Sequence, residues 1–258
     1  MCKQGIGRCP VGRWGCGVVL LLLPLLGVAD TLRYAVTNES WEPYWIVRDG
    51  QVSGIFNDVM QALDLPGVVL EGEVAQPPLR AQKHFRDAVV QLECCVSMAW
   101  RSAPEQAEVS LWSDPVLSAE QVLIFPPGCA VAFARLQDLQ GRTLSTVRGY
   151  GYAGSQYFTR SDSPDSIALL YSVTRGRAEG GIIDRLELAY ILANHPQIKA
   201  QPAQIEQGPL VNRSELRMRL HRSRAELLGP LNAAIGRLRA NGTLARIIQR
   251  YSVPSAGK

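Results

Sequence analysis

Gly180-Gly181-Ile182-Ile183-Asp184, running on into Arg185 to Asn194, is the stretch on which the reading of the fold depends. A short β-rich apolar run ends in an acid, and the acid opens a segment of helical character. In an open α/β sheet, side chains at the carboxyl ends of parallel strands face a cleft, which is where this places Asp184. Asp also fills a helix N-cap well, and the two roles are compatible.

The same alternation extends in both directions. Upstream, Thr31 to Val36 reads as a strand, Ile55 to Leu63 as a helix, and Val68 to Val74 as a strand. Leu79 to Val90 follows as a helix, Cys94 to Met98 as a third strand, and Gln121 to Phe125 as a further strand stopped by Pro126-Pro127-Gly128. A second run begins at strand Thr143 to Val147, with a glycine-rich loop, a short helix near Gln156 and a helix from Ile167 to Thr174. After the opening stretch, Ile198 to Ala203 and Glu215 to Leu220 read as strands, and Arg224 to Ala240 and Leu244 to Tyr251 as helices. Strands alternating with helices define an α/β class with mostly parallel sheets, and two such runs imply two lobes.

The chain has 258 residues, 47% hydrophobic and 19% charged, enough for real cores and too apolar for disorder. Residues 1–29 carry Lys3, Arg8 and Arg13 and no acid, then an apolar run from Val18 and the small residues Gly27 and Ala29. That pattern is a secretory signal peptide cut after Ala29, giving a periplasmic product. The apolar run is about 11 residues, short of the ~20 that span a bilayer. Without this leader the 27 Lys and Arg fall to 24 against 23 Asp and Glu, so the basic balance belongs to the leader and nucleic-acid binding is not expected. Of six Cys, Cys94, Cys95 and Cys129 remain, and Cys129 paired with one of the adjacent two is the expected disulfide.

Several local phrases, in this order, resemble the extracytoplasmic solute-binding proteins of ABC importers, family 3, the polar amino-acid-binding group. Trp41-Glu42-Pro43-Tyr44, Gly54-Ile55-Phe56-Asn57-Asp58-Val59 and Trp112-Ser113-Asp114-Pro115 are similar to motifs of its first lobe. Leu139-Gln140-Gly141-Arg142-Thr143-Leu144 with Val147-Arg148-Gly149, Gly176 to Asp184, and Leu231 to Leu244 with Tyr251 are similar to those of its second lobe and tail. The resemblance implies a type II periplasmic-binding-protein fold, two α/β lobes joined by two hinge strands with the ligand between them. The first lobe is then expected at 30–126 plus 217–258, and the second at 127–216. It further implies a monomer that closes on an amino acid or related zwitterion and presents it to a membrane permease or, alternatively, to a receptor as a sensing module.

An amino acid needs a carboxylate for its ammonium and a cation or free amides for its carboxylate. By resemblance Asp184 takes the ammonium, and the loop Arg148-Gly149-Tyr150-Gly151-Tyr152 contributes to carboxylate binding, its glycines letting the backbone approach. Asn38, Trp41 and Tyr44 lie in the loop after the first strand, with Trp41 a candidate aromatic wall, and Ser97, Trp100 and Arg101 follow the third strand. The family phrase places a carboxylate-clamping Arg nine residues before the Pro of Ser-Asp-Pro, where this chain has Gln106, so Arg101 or Arg148 must substitute. Between Phe158 and Ile167 only Thr159 to Ser166 stand where relatives fit more chain, which predicts a reduced second-lobe sheet.

Other chemistries find little support. Gly149-x-Gly151-x-x-Gly154 spells a dinucleotide fingerprint, but Leu169-Leu170-Tyr171 stands where the ribose-binding acid belongs, so no cofactor is expected. His84, His195 and His221 stand apart without zinc spacing, and no Gly-x-Ser-x-Gly occurs. Periplasmic cyclohexadienyl dehydratases resemble the same family, and for such a lyase Glu39 and Glu42 are the nearest acids.

Overall fold

A computed structural model describes Met1 and residues 30–199 and 204–252. The expected leader (1–29) lies outside the described residues, apart from Met1. Among the described residues no helix is long and apolar enough to cross a membrane.

The first lobe opens with β1 (Asp30–Tyr34), a hairpin of β2 (Ile46–Arg48) and β3 (Gln51–Ser53), and α1 (Ile55–Ala62). It continues with β4 (Val68–Gly72), α2 (Pro78–Arg86) and β5 (Leu92–Val96). A short helix, α3 (Pro104–Ala107), leads to the 16-residue strand β6 (Ser110–Phe125). The second lobe holds β7 (Thr143–Val147), β8 (Thr159–Ser163), α4 (Ser166–Thr174), β9 (Gly180–Asp184), α5 (Arg185–Asn194) and α6 (Pro196–Lys199). The chain returns along the 16-residue strand β10 (Glu206–His221) and ends in α7 (Leu228–Ala240) and α8 (Thr243–Ser252).

Ladder hydrogen bonds run through eight strands in the order β4-β1-β5-β10-β6-β9-β7-β8. The flanking triplets β4-β1-β5 and β9-β7-β8 are each parallel, while β6 and β10 are antiparallel to each other and to their neighbours. Two parallel sets joined by two long strands give the two-lobed type II periplasmic-binding-protein architecture.

Strand β6 shows how one segment serves both lobes. Val116 and Ala119 join the first-lobe core with Leu216 and Met218 of β10. Farther on, Val122 and Ile124 face the core under α4 and α5, while Leu123 and Phe125 face the opposite core with Leu139 and Leu144. A period of two with both faces covered accounts for the unbroken apolar run. The glycines of β9 follow from the same packing. A Cβ on Gly180 would meet Ile124 O at 2.7 Å, and one on Gly181 would stand 3.1 Å from side chains of α4. Helices α7 and α8 close the first-lobe core through Leu231, Ile235, Leu244 and Ile247, packed with Val59 and Met60 of α1.

Several local expectations are corrected. The chain near Gln156 forms turns, because Tyr152 and Tyr157 pack onto the second-lobe core from an irregular loop. The second-lobe sheet is not curtailed, since Thr159–Ser163 pairs in register with all of β7. Ile198 belongs to the short helix α6, where its buried side chain packs in the core beneath α5; residues 200–203 lie outside the described residues. Arg224 to Leu227, expected as the start of a long helix, belong instead to a 3-10 turn, Arg222–Leu227, with non-helical backbone at Arg224. Cys94 and Cys95 are joined to each other, and Cys129 is a free, exposed thiol. The expected pairing fails because Cys129 follows the Pro126-Pro127-Gly128 turn beyond β6, away from β5.

One buried ion cluster pins the hinge to the first lobe. Arg219 of β10 is fully buried beneath Phe85, whose ring centroid lies 3.8 Å from its guanidinium carbon. It donates to Glu93 Oε2 at 3.0 Å, to Ser110 Oγ at 2.7 Å and to Gln106 Oε1 at 2.5 Å. Burial alone would raise the Glu93 carboxyl, but Arg101 and Arg219 outweigh it and hold the group below the usual range. Removing one partner of a buried pair leaves the other uncompensated. Arg219→Met is therefore expected to lower stability by about 3 kcal/mol in urea unfolding. A loss under about 1 kcal/mol would show that Arg101 alone satisfies Glu93.

Candidate functional site

Between the lobes lies a cleft of about 800 Å³. The first lobe contributes Trp41, Phe56 and Trp100, the adjacent pair Cys94–Cys95 and Arg101; the second contributes Arg148 to Tyr152, Asp184 and Glu187. A smaller cavity of about 320 Å³ adjoins it and shares Arg148, Tyr150, Ser166 and Glu187.

The aromatic wall is built by tight packing in the loop after β1. Trp41 stands 4.2 Å from Tyr44 between ring centroids, with Phe56 at 6.0 Å and Trp100 at 5.7 Å, both edge-on. These tilted and edge-on arrangements suit ring quadrupoles and hold Trp41 at the cleft. Tyr44 does not line the cleft. It lies beneath Trp41, 1% exposed, and its hydroxyl donates to Asp184 Oδ1 at 2.9 Å across the two lobes.

Asp184 borders the cleft, but its carboxylate is already occupied. Leu186 N and Glu187 N donate to Oδ1 at 2.9 and 3.0 Å, making it the N-cap of α5, and Glu120 N of β6 donates to Oδ2 at 2.8 Å. Burial pushes its carboxyl above the usual range against the pull of these donors. Arg101 also borders the cleft with its charge spent, since its Nη2 and Nε donate to Glu93 at 2.5 and 3.2 Å. Gln106 is buried against Arg219 and does not border the cleft. Arg148, by contrast, makes no ion pair among the described residues and borders both cavities.

Of the residues singled out from the sequence, the fold brings together Trp41, Trp100, Arg101, Arg148, Gly149, Tyr150 and Asp184 around one chamber. Asn38 is exposed outside it and Ser97 is buried behind it, where its carbonyl accepts from Trp100 N. Glu39 borders the cleft, while Glu42 is tied to Arg48 at 3.2 Å and to His195 Nε2 at 2.8 Å, a second contact between lobes. Among the described residues no His, Cys, Asp and Glu cluster in a way that could hold a metal ion.

Sequence reasoning missed Glu187. It lies in the first turn of α5, only 6% exposed, and Ser166 Oγ donates to its Oε1 at 2.7 Å. Its signal was the spacing Asp184-x-x-Glu187, which reads as a capping box. The structure shows only the Asp half of that box, with Glu187 turned to Ser166. Burial pushes the Glu187 carboxyl up to about 8, with Asp184 and Glu42 adding repulsion against the pull of Ser166 and the Trp41 indole.

No protein-family model matches the chain, and neither does any curated protein. Solved structures do. The VFT2 domain of Bordetella pertussis BvgS (double mutant F375E/Q461E) is 19% identical, with a TM-score of 0.64 over 86% of this chain and 93% of that one. The GluR0 ligand-binding core in complex with L-glutamate is 18% identical, with a TM-score of 0.69 over 88% and 100%. A Streptococcus pneumoniae amino-acid ABC transporter substrate-binding protein, AbpA, bound to L-arginine, is 17% identical, with a TM-score of 0.64 over 89% and 97%. The chain thus shares with these structures the two-lobed fold of the type II periplasmic binding proteins.

The raised Glu187 carboxyl has a stability consequence. From the usual glutamate range up to about 8, the native state holds a proton that the unfolded chain has lost, so stability falls as pH rises through that window. Glu187→Gln removes this dependence. Its stability relative to the native sequence should gain about 1.4 kcal/mol per pH unit across the window. Urea midpoints at pH 5 and pH 8 read this directly, and parallel values for the two proteins would contradict it.

Proposed function

We propose that this chain is an exported, periplasmic solute-binding protein that captures a small polar metabolite, an amino acid or related zwitterion, between its lobes. It would act as a monomer and present the closed form to a membrane permease of an ABC importer. The observation that carries the reading is a chamber with an aromatic wall from one lobe and, from the other, a guanidinium, Arg148, that makes no ion pair among the described residues. A guest touching both sides binds the closed form better than the open one, and only such differential contact drives closure. L-glutamate and L-arginine, which the compared structures hold, are the first candidates.

No catalytic role is proposed. Glu42, one of the two acids considered for a lyase, is committed to Arg48 and His195. The sensing alternative draws support from a different observation. Tyr44–Asp184 and Glu42–His195 already clasp the lobes through the protein's own side chains. A receptor module that closes without ligand would use such contacts.

A thermal-shift screen of the mature chain against amino acids, polyamines, organic acids and prephenate tests the binding reading. A ligand at 100 times its Kd should add about 2.7 kcal/mol, and Trp41→Ala should remove most of the shift. Consumption of prephenate would replace the reading with catalysis. For the clasp, Tyr44→Phe should cost about 1.5–3 kcal/mol, the worth of a buried hydrogen bond to a charged group. Small-angle scattering should show the ligand-free variant expanded; an unchanged radius would leave Tyr44 a packing residue only.

A further inference from the structure

Among the described residues, one buried acid of the chamber has neither a cationic partner nor the full set of donors that Asp184 has; Glu39, also at its border, is exposed. Asp184 is saturated by four donors, Glu93 by two guanidinium groups, and Glu42 by Arg48 and His195. Glu187 has no cation among the described residues, although it is over nine-tenths buried and borders both cavities. A second acceptor on the same cleft points the same way. Gln121 Oε1 is buried with no donor, while its amide nitrogen lies 3.5 Å from Gly151 O. A buried carboxyl with no cation and a buried amide oxygen with no donor, in one chamber, call for a guest rich in N–H groups, because unpaired buried polar groups are costly.

We propose that Glu187, in place of Asp184, receives the cationic end of the ligand, an ammonium or amidinium group, while Arg148 from the loop after β7 receives an anionic end. The inference rests on the chamber being a ligand site, as argued above. In the ligand-free protein at neutral pH the raised Glu187 carboxyl keeps its proton. A cationic ligand displaces that proton to solvent and takes its place, one positive charge exchanged for another.

The surroundings of Glu187 favour the exchange. Asp184 at the end of β9 and Glu42 in the loop after β1 repel its anionic form, and Ser166 of α4 and the Trp41 indole support it. Tyr150 and Tyr152 face it as neutral phenols, which burial holds above their ordinary range. His195 borders the smaller cavity but is engaged with Glu42. Among the described residues no cation pairs with Glu187, and Arg148, which borders the same cavities, is left for the opposite end of the guest.

Isothermal titration of the mature chain with the common amino acids, putrescine, spermidine and succinate tests the assignment at pH 6, 7 and 8. Ammonium-bearing probes are expected to bind more tightly by about tenfold from pH 6 to pH 7, levelling off above about 8. Binding should release a proton, seen as a heat that depends on the buffer. Glu187→Gln retains an acceptor for Ser166 and the neutral state, so it should fold normally at pH 6. It should weaken these probes at least tenfold and abolish both the pH dependence and the proton release. Affinity independent of pH in the native chain, or unchanged in Glu187→Gln, overturns the Glu187 assignment and leaves the cleft reading intact, as does binding of succinate alone. Failure of every probe to bind the native chain overturns both.

Discussion

The Asp184 carboxylate collects donors from three parts of the molecule. Two are backbone amides of α5, one is the Glu120 amide on the hinge strand β6, and one is the Tyr44 hydroxyl from the opposite lobe. A single acid thus starts a helix, fixes that helix to the hinge, and links the lobes. Charge-assisted hydrogen bonds are about twice as strong as neutral ones, and here they are shielded from water. The position of α5, and with it Glu187 and the rim of the chamber, follows from this one group.

Charge pairing decides what the chamber can offer a guest. Position 106, where the resemblance puts a carboxylate-binding arginine, holds a glutamine that serves Arg219 inside the first lobe. Arg101, the nearest substitute, is neutralised by Glu93. Both absences have the same cause: the hinge strand carries a buried arginine, and the surrounding polar groups turn inward to satisfy it. On the proposed reading, the burden of ligand charge shifts to the second lobe, to Arg148 and Glu187. The first lobe contributes the aromatic side chains Trp41, Trp45, Phe56 and Trp100.

Much of the architecture was legible along the chain. Arg185–Asn194 and Thr143–Val147 have the bounds their patterns indicated, and the alternation of strands with helices gave the two parallel sets. The hinge strands were legible only at their apolar ends. Their middles, Glu120-Gln121 and Asn212 to Ser214, are polar and pair with each other across the gap between lobes, where no core imposes an alternation. Thr159–Ser163 is a strand of similar character, polar in sequence and recruited by pairing with β7.

Residue type and order by themselves determined the class of fold, the helix start at Asp184 and the aromatic character of the loop after β1, because each depends on local periodicity and capping. Which of those side chains border the cleft was decided only in three dimensions. Whether Asp184 or Gln106 has spare hydrogen-bonding capacity depends on partners 64 to 140 residues away, as with Glu120 and Tyr44 around Asp184. Pairing of that kind leaves no periodic trace. Glu187 is hidden for the same reason: three residues after an N-cap it looks like ordinary helix chemistry, and burial between two lobes is what makes it an acid that holds its proton.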